Sequence, residues 1–348
     1  MLSITKFLQQ AFDHQASDIH LTVGVPPMFR IDGSLIPDSG RLLTPADTLA
    51  LAQKIMSPAQ WEQYLQLGEL DFSFSLAKLG RFRVNAFKQQ GHHALAIRII
   101  ASDPPTLEQL GLPGILTGLV RKTKGLVLVT GPSGGGKSTT LAALVDNINR
   151  VRSTHIITLE EPIEFVHRHQ KSIVNQRQVG VDTESFATGL RAALREDPDV
   201  ILIGEMRDLE TISTAVTAAE TGHLVLSSLH TTGASQTVDR IVDVFPPHQQ
   251  NQIKLQLSNV LVSIVCQQLI PRRQGPGRVL AQEILMATPA IRNLIREGDT
   301  HQINSMLQIG AQHGMITMDQ ALSNLYRQGL ISYQQAQAHA NDPKSITS

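Results

Sequence analysis

The pattern of apolar and polar positions divides the chain near residue 100. In the first part, apolar and polar residues alternate over Asp71–Leu76, and strand-like segments follow at Arg81–Phe87 and Ala94–Ile100 across a Gln-Gln-Gly turn. A two-residue period is typical of strands with one buried face. The first fifteen residues have the spacing of an amphipathic helix, and a second helix is predicted from about Pro45 to Leu67. This part is therefore predicted to form a small α+β domain.

Short apolar runs without polar interruption characterise the part of the chain after residue 120. Four of these runs lie between turns and helical segments: Gly125–Thr130, His155–Leu159, Val200–Ile203 and Leu224–Leu229. Strands that are apolar throughout fit a parallel sheet that is covered on both faces. The alternation of such strands with helices predicts an α/β fold here.

The patterns predict four segments, at residues 1–100, 101–116, 117–272 and 273–348. The first is the α+β domain and the third is the α/β core. Between them we expect a linker, because Asp103-Pro104-Pro105 disfavours both helices and ladders. The last segment is predicted to begin with a strand at Val279–Leu285, to continue as helices and to end in a polar tail.

Composition and charge narrow the classes of function. The chain has 348 residues, and its 30 Lys and Arg residues balance 30 Asp and Glu residues. Zero net charge argues against a general nucleic-acid binder, and an aromatic content of 4% is too low for a series of base-stacking platforms. One cysteine, Cys266, can form neither an intramolecular disulfide nor a cysteine-rich zinc site. No window of 18 residues is apolar throughout, so we expect a cytoplasmic protein that reaches the membrane through a partner.

One segment has a specific chemical meaning. Residues 131–138 read GPSGGGKS, which fits the pattern G-x-x-x-x-G-K-[ST] between a predicted strand and a predicted helix. Glycines let backbone N–H groups wrap around phosphates, and the helix adds the positive end of its dipole. Lys137 is expected to reach the β- and γ-phosphates of ATP, and the Ser138 hydroxyl to ligate Mg²⁺. The predicted nucleotide contacts are Gly131, Pro132, Ser133, Gly134, Gly135, Gly136, Lys137, Ser138 and Thr139.

Acidic residues that follow two predicted strands are candidates for catalysis. Glu205 follows an apolar strand and Gly204, where Asp directly after the four apolar residues is the usual pattern. At the carboxyl edge of the sheet, Glu205 is expected to polarise the attacking water. After the preceding strand, Glu164 is predicted as an acid/base partner and Glu160 as an orienting or metal-linked group. Repulsion between these carboxylates leaves open a merely solvated role for one of them.

Two histidines flank the predicted strand Leu224–Leu229. His230 follows the carboxyl end of the strand and is the candidate for contact with the γ-phosphate, whereas His223 precedes the strand and is predicted to link that end to a neighbour. Taken alone, each histidine would more often have a structural role. The arginines able to stabilise transition-state charge are Arg81, Arg83, Arg98, Arg191, Arg195 and Arg207.

Together these segments resemble the secretion-type hexameric ATPases and, among them, the type IV pilus retraction motors. The resemblance extends over essentially the whole chain and includes the glycine-rich loop, the acidic residues and the two-histidine segment. It also includes the segments Ala16–Leu21, Arg81–Phe87, Ala193–Asp199, Gly204–Asp208 and Pro289–Arg296. Ser133 and Gly135 stand where Thr and Ser are commoner, and Glu161 stands where Asp is usual. None of these departures removes a group needed for catalysis.

The resemblance implies an N-terminal PAS-like domain, a RecA-like P-loop NTPase core and a C-terminal helical extension. It implies a cytoplasmic homohexamer that binds ATP and Mg²⁺ between subunits and drives pilus retraction, and hence twitching motility, through an inner-membrane platform protein. Neither zinc nor direct contact with nucleic acid is expected.

The resemblance also implies roles for single residues. The implied catalytic set is Glu205, Glu164, His230, Glu160, His223, Arg83 and Arg98. In such motors the two histidines belong to one histidine box, His223 less directly, and the two arginines reach toward the nucleotide when the ring closes. The segment Ala290–Arg296 is similar to one that retraction motors need for retraction but not for ATP turnover.

Several alternatives stay open. An accessory retraction ATPase, a pilus-assembly ATPase and a type II secretion ATPase share most of these motifs. The last two usually carry two Cys-x-x-Cys pairs and a longer N-terminal region, which this sequence lacks. More remote alternatives are a nucleic-acid translocase, a protein that binds ATP as a structural ligand, and a small-molecule kinase.

Overall fold

The computed structural model describes residues 3–14, 16–31, 33–76, 79–100 and 104–346. The chain divides into two compact units, Met1–Asp103 (unit 1) and Pro104–Ser348 (unit 2). Residues 101–103 of the predicted linker lie outside the described residues. The finer boundary at residue 272 stays a prediction.

Unit 1 is built on an antiparallel sheet in the order β3-β2-β1-β6-β5-β4. Its strands are β1 (Asp18–Leu21), β2 (Met28–Ile31), β3 (Ser34–Pro37), β4 (Glu69–Leu76), β5 (Gly80–Gln89) and β6 (His92–Ile100). Its helices are α1 (Ile4–Asp13), α2 (Pro45–Ile55) and α3 (Pro58–Leu67). Phe82, Val84 and Ala86 alternate along β5 and are buried in one cluster with apolar residues of the three helices. One face of the sheet therefore packs on helices, as the two-residue period predicts.

The prediction of one continuous helix from Pro45 to Leu67 is wrong. The helix ends at Ile55, Met56 is extended, and a new helix begins at Pro58. Ser57 caps that helix, because its hydroxyl accepts the Gln60 N–H while the Gln60 side chain accepts the Ser57 N–H. A proline ring also disfavours helical geometry at the preceding residue, so the first helix cannot run through this point.

Unit 2 is built on a second sheet, in the order β13-β12-β7-β11-β10-β8-β9. All neighbouring strands are parallel except β12 and β13. The strands are β7 (Gly125–Thr130), β8 (His155–Glu160), β9 (Ile173–Gln178), β10 (Val200–Ile203), β11 (Leu224–Leu229), β12 (Leu261–Pro271) and β13 (Arg278–Met286). The predicted bounds of β7, β10 and β11 are confirmed, whereas β9 and β12 were not predicted. Polar residues obscure both: four of the six residues of β9 are polar, and Ser263, Gln267 and Gln268 interrupt β12.

Helices surround this second sheet. They are α4 (Ile115–Leu119), α5 (Lys137–Val151), α6 (Phe186–Ala193), α7 (Leu209–Glu220), α8 (Ala234–Asp243), α9 (Pro247–Val260), α10 (Pro289–Glu297), α11 (Ile303–Ile309), α12 (Met318–Arg327) and α13 (Tyr333–His339). Short 3-10 helices occupy Thr300–Gln302, Gly310–His313 and Pro343–Ser345.

The second sheet is covered on both faces. Along β7, Leu126 and Leu128 belong to a core cluster with residues of α7, α8 and α9, whereas Val127 and Val129 belong to the cluster that contains α5. Side chains of a strand point alternately to its two faces, so both sets are buried in a strand between two helix layers, and most of its residues are apolar. Each fully buried Leu or Val contributes about 1.5–3 kcal/mol. Polar chemistry is thereby confined to the ends of these strands.

Candidate functional site

The glycine-rich loop joins the carboxyl end of β7 to α5. Gly131, Gly134 and Gly136 all have left-handed backbone conformations, with φ values of 143°, 73° and 86°. A side chain is strained in this region, so the path of the loop requires glycine. At Gly131 an added Cβ would also collide with the main-chain carbonyl of Gln267 on β12. The sequence pattern therefore matches a real backbone requirement.

Gln267 of β12 contacts the glycine-rich loop, a contact that was not predicted from the sequence. It is 1% exposed, and its Nε2 donates to the Gly135 carbonyl at 2.8 Å. β12 lies beside β7 with Cys266 opposite Thr130, which brings Gln267 under the loop. The only signal in the sequence is a glutamine within an apolar run, and that signal does not say which loop the side chain meets.

Lys137 lies in the mouth of the loop and is 8% exposed. Its Nζ donates to the carbonyls of Gly131 and Pro132, at 2.9 Å each, and lies 3.4 Å from His230 Nδ1. Burial lowers the pKa of Lys137, while the negative charge of Glu205 acts in the opposite direction. The ammonium is thus partly desolvated, which strengthens its attraction for an anion.

Glu205 is placed by Gly204 at the end of β10. The Gly204 N–H donates to the Leu159 carbonyl at 2.8 Å, and the Gly204 carbonyl accepts from Ser228 Oγ at 2.6 Å. A Cβ at Gly204 would lie 3.3 Å from that Leu159 oxygen. A side chain at this position would therefore be in tight contact with the backbone of β8, and the acidic group stands one residue further along the chain than in the usual pattern.

Glu205 and His230 meet in the structure. The Glu205 side chain is 13% exposed; its Oε2 lies 3.3 Å from His230 Nε2 and its Oε1 lies 2.7 Å from Arg207 Nη2. Since His230 Nδ1 also faces Lys137, the imidazole lies between the cation of the loop and the carboxylate. A general base held next to a phosphate-binding lysine can polarise water for attack on a phosphoryl group.

Glu160 and Glu164 occupy different environments. Glu160 Oε1 accepts from Thr158 Oγ1 at 2.6 Å and from Gln176 Nε2 at 3.0 Å. Burial raises the pKa of Glu160 despite these hydrogen bonds. The Glu164 side chain is exposed. Glu160 is therefore fixed by its neighbours, whereas Glu164 is accessible to a substrate or a partner.

His223 does not lie with His230. β11 runs parallel to β7, with Leu224 opposite Gly125 and Leu229 opposite Thr130, so the two histidines are at opposite edges of the sheet. His223 Nδ1 is 2.9 Å from the Ala218 carbonyl at the end of α7. Within unit 2, His230 is on the same edge as the glycine-rich loop and His223 is not.

Arg83 and Arg98 belong to unit 1 and not to the unit that carries the loop. They lie opposite each other on β5 and β6 and line a cavity of about 230 Å³ on the sheet, together with Asp18 and Asp71. Arg98 Nε donates to Asp18 Oδ1 at 2.8 Å. Two of the arginines near β10 form ion pairs: Arg207 pairs with Glu205, and Arg191 pairs with Glu210.

The protein groups near the glycine-rich loop suit a magnesium ion that takes most of its oxygen ligands from a bound nucleotide and from water. Ser138 lies in the first turn of α5 with its side chain exposed. Within the described ranges, no three side chains of His, Cys, Asp or Glu are grouped as a protein-bound metal would need. Mg²⁺ usually keeps several waters and takes its other oxygens from phosphates and one or two protein groups. A hydroxyl beside a phosphate-binding loop fits that habit.

The glycine-rich loop, Glu205 and His230 thus lie together at one edge of the sheet. Comparison with known sequences identifies the family. Residues 1–338 match the family described as Type II/IV secretion system protein. The chain belongs to this family.

Members of the secretion-system family cover the chain almost entirely. The type IV pilus retraction ATPase PilT of Pseudomonas aeruginosa is 47% identical over 345 residues, which are 99% of this chain and 100% of PilT. The type IV pilus ATPase PilU of the same organism is 41% identical and is covered over 90% of its length. A crystal structure of the pilus retraction motor PilT with bound ADP has a TM-score of 0.93 at 50% identity, covering 99% of this chain and 98% of that one. The α/β fold class and the resemblance to pilus retraction motors are confirmed.

No helix in the described part of this secretion-family chain is long and apolar enough to cross a membrane.

Proposed function

We propose that the chain is a cytoplasmic motor ATPase that assembles as a homohexamer and couples ATP hydrolysis to retraction of type IV pili. The meeting of the glycine-rich loop, Glu205 and His230 at one edge of the sheet carries this proposal. Likeness over the full length to a pilus retraction ATPase supports the choice of substrate and of mechanical role.

The loop residues 131–139 bind the triphosphate in this proposal. Inward-pointing N–H groups and the N-terminus of α5 neutralise its charge, and Lys137 exchanges its two carbonyl partners for β- and γ-phosphate oxygens. Ser138 holds Mg²⁺ together with phosphate oxygens; the ion, when bound, offsets the negative charge that develops during transfer.

Glu205 orients and polarises the attacking water in this proposal. The two ring nitrogens of His230 face Glu205 and Lys137. His230 therefore keeps the Glu205 carboxylate in place and contacts the γ-phosphate that Lys137 binds. Glu164, which is exposed, acts as an acid/base partner, and Glu160 orients the end of β8. A motor also needs two conformations that bind ATP with different affinities. ATP binding and hydrolysis can shift the equilibrium between the conformations only if these affinities differ.

Arg83 and Arg98 act on the nucleotide of a neighbouring subunit in this proposal. Both lie on the polar face of the unit 1 sheet and line one cavity. Their positive charges would attract a phosphate group that binds on this face. Arginines supplied from another subunit contribute about 10³–10⁵ in rate in other phosphoryl-transfer enzymes. His223 links the opposite edge of the sheet to the end of α7 in the same chain. An inner-membrane platform protein receives the motion, and no direct contact with nucleic acid is needed.

The enzymatic part is tested with the purified full-length chain. Glu205→Gln keeps the shape of the side chain and removes its basicity, so we expect ATP binding to persist while kcat falls by about 10²–10⁴. Glu184→Gln is the matched control, since it makes the same change at an exposed glutamate. Turnover at the wild-type rate in Glu205→Gln would contradict the assignment, and absence of turnover in the wild-type chain would contradict the ATPase itself.

The biological part is tested in the host. Deletion of a retraction motor leaves more surface pili and less twitching, whereas deletion of an assembly motor leaves no pili. The second candidate is an accessory retraction ATPase, and the chain is also similar to a second type IV pilus ATPase, PilU. For that candidate, deletion leaves retraction dependent on another motor, so a double deletion has a stronger phenotype than either single one.

A further inference from the structure

A carboxylate that the proposed reaction does not use is buried within unit 2. Glu283, on β13, is 3% exposed and lies opposite Cys266 of β12. Burial raises the pKa of Glu283, and the nearby charge of Asp319 acts in the same direction. A buried carboxylate is costly unless hydrogen bonds compensate for lost water, so the partners of Glu283 indicate what it is for.

Besides the Cys266 thiol, its partners are the first residues of two helices. Glu283 Oε1 accepts the Ala234 N–H at 2.9 Å, and Oε2 accepts the Met318 N–H at 3.4 Å. Ala234 begins α8, and Met318 begins α12. The N-terminus of a helix leaves N–H groups without partners and has a partial positive charge, and a carboxylate satisfies both conditions.

The two helices differ in their need for this carboxylate. α12 has its own capping box, formed by Thr317 and Gln320. α8 has Gly233 as its N-cap, which supplies no side-chain hydrogen bond. Glu283 therefore provides from a distant strand the cap that the local sequence of α8 lacks.

The end of α8 that Glu283 holds is directly connected to the candidate site. Only residues 230–233 separate β11 from α8, and His230 is the first of them. Thr237 Oγ1 fastens the same loop, because it donates to the Gly233 carbonyl and lies near Thr231 Oγ1, at 2.7 Å each. A shift of the first residue of α8 is therefore transmitted to His230 over four peptide bonds.

We propose that Glu283 is a positioning residue for hydrolysis. By holding the first turn of α8 it keeps the 230–233 loop in place, and the loop keeps the His230 imidazole between Lys137 and Glu205. Its second bond, to α12, makes the C-terminal helices part of the same support. The proposal rests on the proposed function, since the position of His230 matters to turnover only where ATP is hydrolysed.

The experiment compares Glu283→Gln with the wild-type full-length chain. The amide keeps one acceptor oxygen and presents an NH₂ group to one of the two N–H donors, so one helix loses its bond. We expect kcat to fall by about 10- to 100-fold because of the misplaced His230. KM for ATP and the Kd for ADP should change by less than about 2-fold, because the glycine-rich loop is supported elsewhere. Glu297→Gln, the same change at an exposed residue of α10, should leave kcat unaltered.

A double-mutant cycle separates positioning from a general structural effect. In a His230→Ala background, Glu283→Gln should cause no further loss of kcat, since the two residues act in one chain of contacts. Glu283→Leu removes both acceptor oxygens, so in that variant α8 must lose its cap. An unchanged kcat in both Glu283→Gln and Glu283→Leu, or an equal further loss in the His230→Ala background, would overturn the proposal. If Glu283→Gln does not fold, Glu283→Asp, which withdraws the carboxylate by one methylene, is put through the same cycle. A wild-type chain without turnover would instead overturn the proposed function together with this inference.

Discussion

The two sheets of the molecule carry their polar groups in different places. In unit 2 the residues of β7, β10 and β11 are buried along the whole strand, and the functional groups follow the carboxyl ends. In unit 1 the strands have one open face, and Asp18, Arg83 and Arg98 lie within the strands themselves. A sheet covered on both sides leaves only its edges for chemistry, whereas a sheet covered on one side can use its face.

The largest effect is expected when the cation at the edge of the second sheet, Lys137, is removed. Lys137→Ala should lower kcat/KM for ATP by about 10³-fold, equivalent to about 4 kcal/mol, because a preorganised charge is lost in a partly desolvated site. Steady-state kinetics and nucleotide titration measure this loss. Lys171→Ala, at an exposed lysine of unit 2, is the control and should have no effect. An enzyme that hydrolyses ATP normally without Lys137 would remove the functional meaning of that edge.

The second test concerns the covered interior. Leu128 on β7 is fully buried, so Leu128→Ala should lower the free energy of unfolding by about 3 kcal/mol through lost transfer energy and a residual cavity. Leu70→Ala, at a partly buried position of β4, should cost less than half as much. Urea unfolding with the m-value held constant measures both. Equal losses at the two sites would mean that the strands of the two sheets are not buried to different degrees.

The third test uses a buried histidine of unit 2. Burial lowers the pKa of His167 from 6.5 to about 4, an effect that the nearby Asp146 only partly offsets. The unfolded chain then binds a proton before the folded chain does, so stability is present above the unfolded pKa and is lost as the pH falls toward the folded one. Between pH 6.5 and 5 the free energy of unfolding should fall by about 1.5 kcal/mol on account of this residue. His167→Leu should remove that part of the pH dependence, and a variant with an unaltered pH profile would contradict it.

The smallest effect on stability is expected on the open face of unit 1. Arg98 is 62% exposed where it pairs with Asp18, so Arg98→Ala should change the free energy of unfolding by less than about 1 kcal/mol. Thermal unfolding of the variant measures this. Because the proposed role of Arg98 is exerted on a neighbouring subunit, kcat should fall even though stability barely changes. A large loss of stability with an unaltered kcat would assign Arg98 to the fold and not to function.

The sequence predicts elements best where one local signal is sufficient. The bounds of β7, β10 and β11 follow from short apolar runs between turns, and the glycine-rich loop follows from a pattern whose glycines have left-handed backbone conformations. Prediction failed where two signals compete. The segment from Pro45 to Leu67 looks helical throughout, yet the capping box at Ser57 and the ring of Pro58 divide it.

The site shows the same division. Glu205 and His230 can be placed at the carboxyl edge from the order of strands and motifs alone. Their contact, and the position of His230 next to Lys137, depend on which strands are neighbours, and sequence spacing does not state this. Gln267 and Glu283 were missed because each acts on a segment far away in the sequence, through a single hydrogen-bonding group.

By itself the sequence determined the fold class, the glycine-rich loop and the chemical identity of the candidate groups, because periodicity, glycine conformations and side-chain chemistry are local properties. Only the tertiary structure decided that His230 lies between Lys137 and Glu205, that Gln267 supports the loop and that Glu283 caps α8. These facts depend on strand order and on close packing between distant segments. Such contacts form only when burial of the whole core brings those segments together.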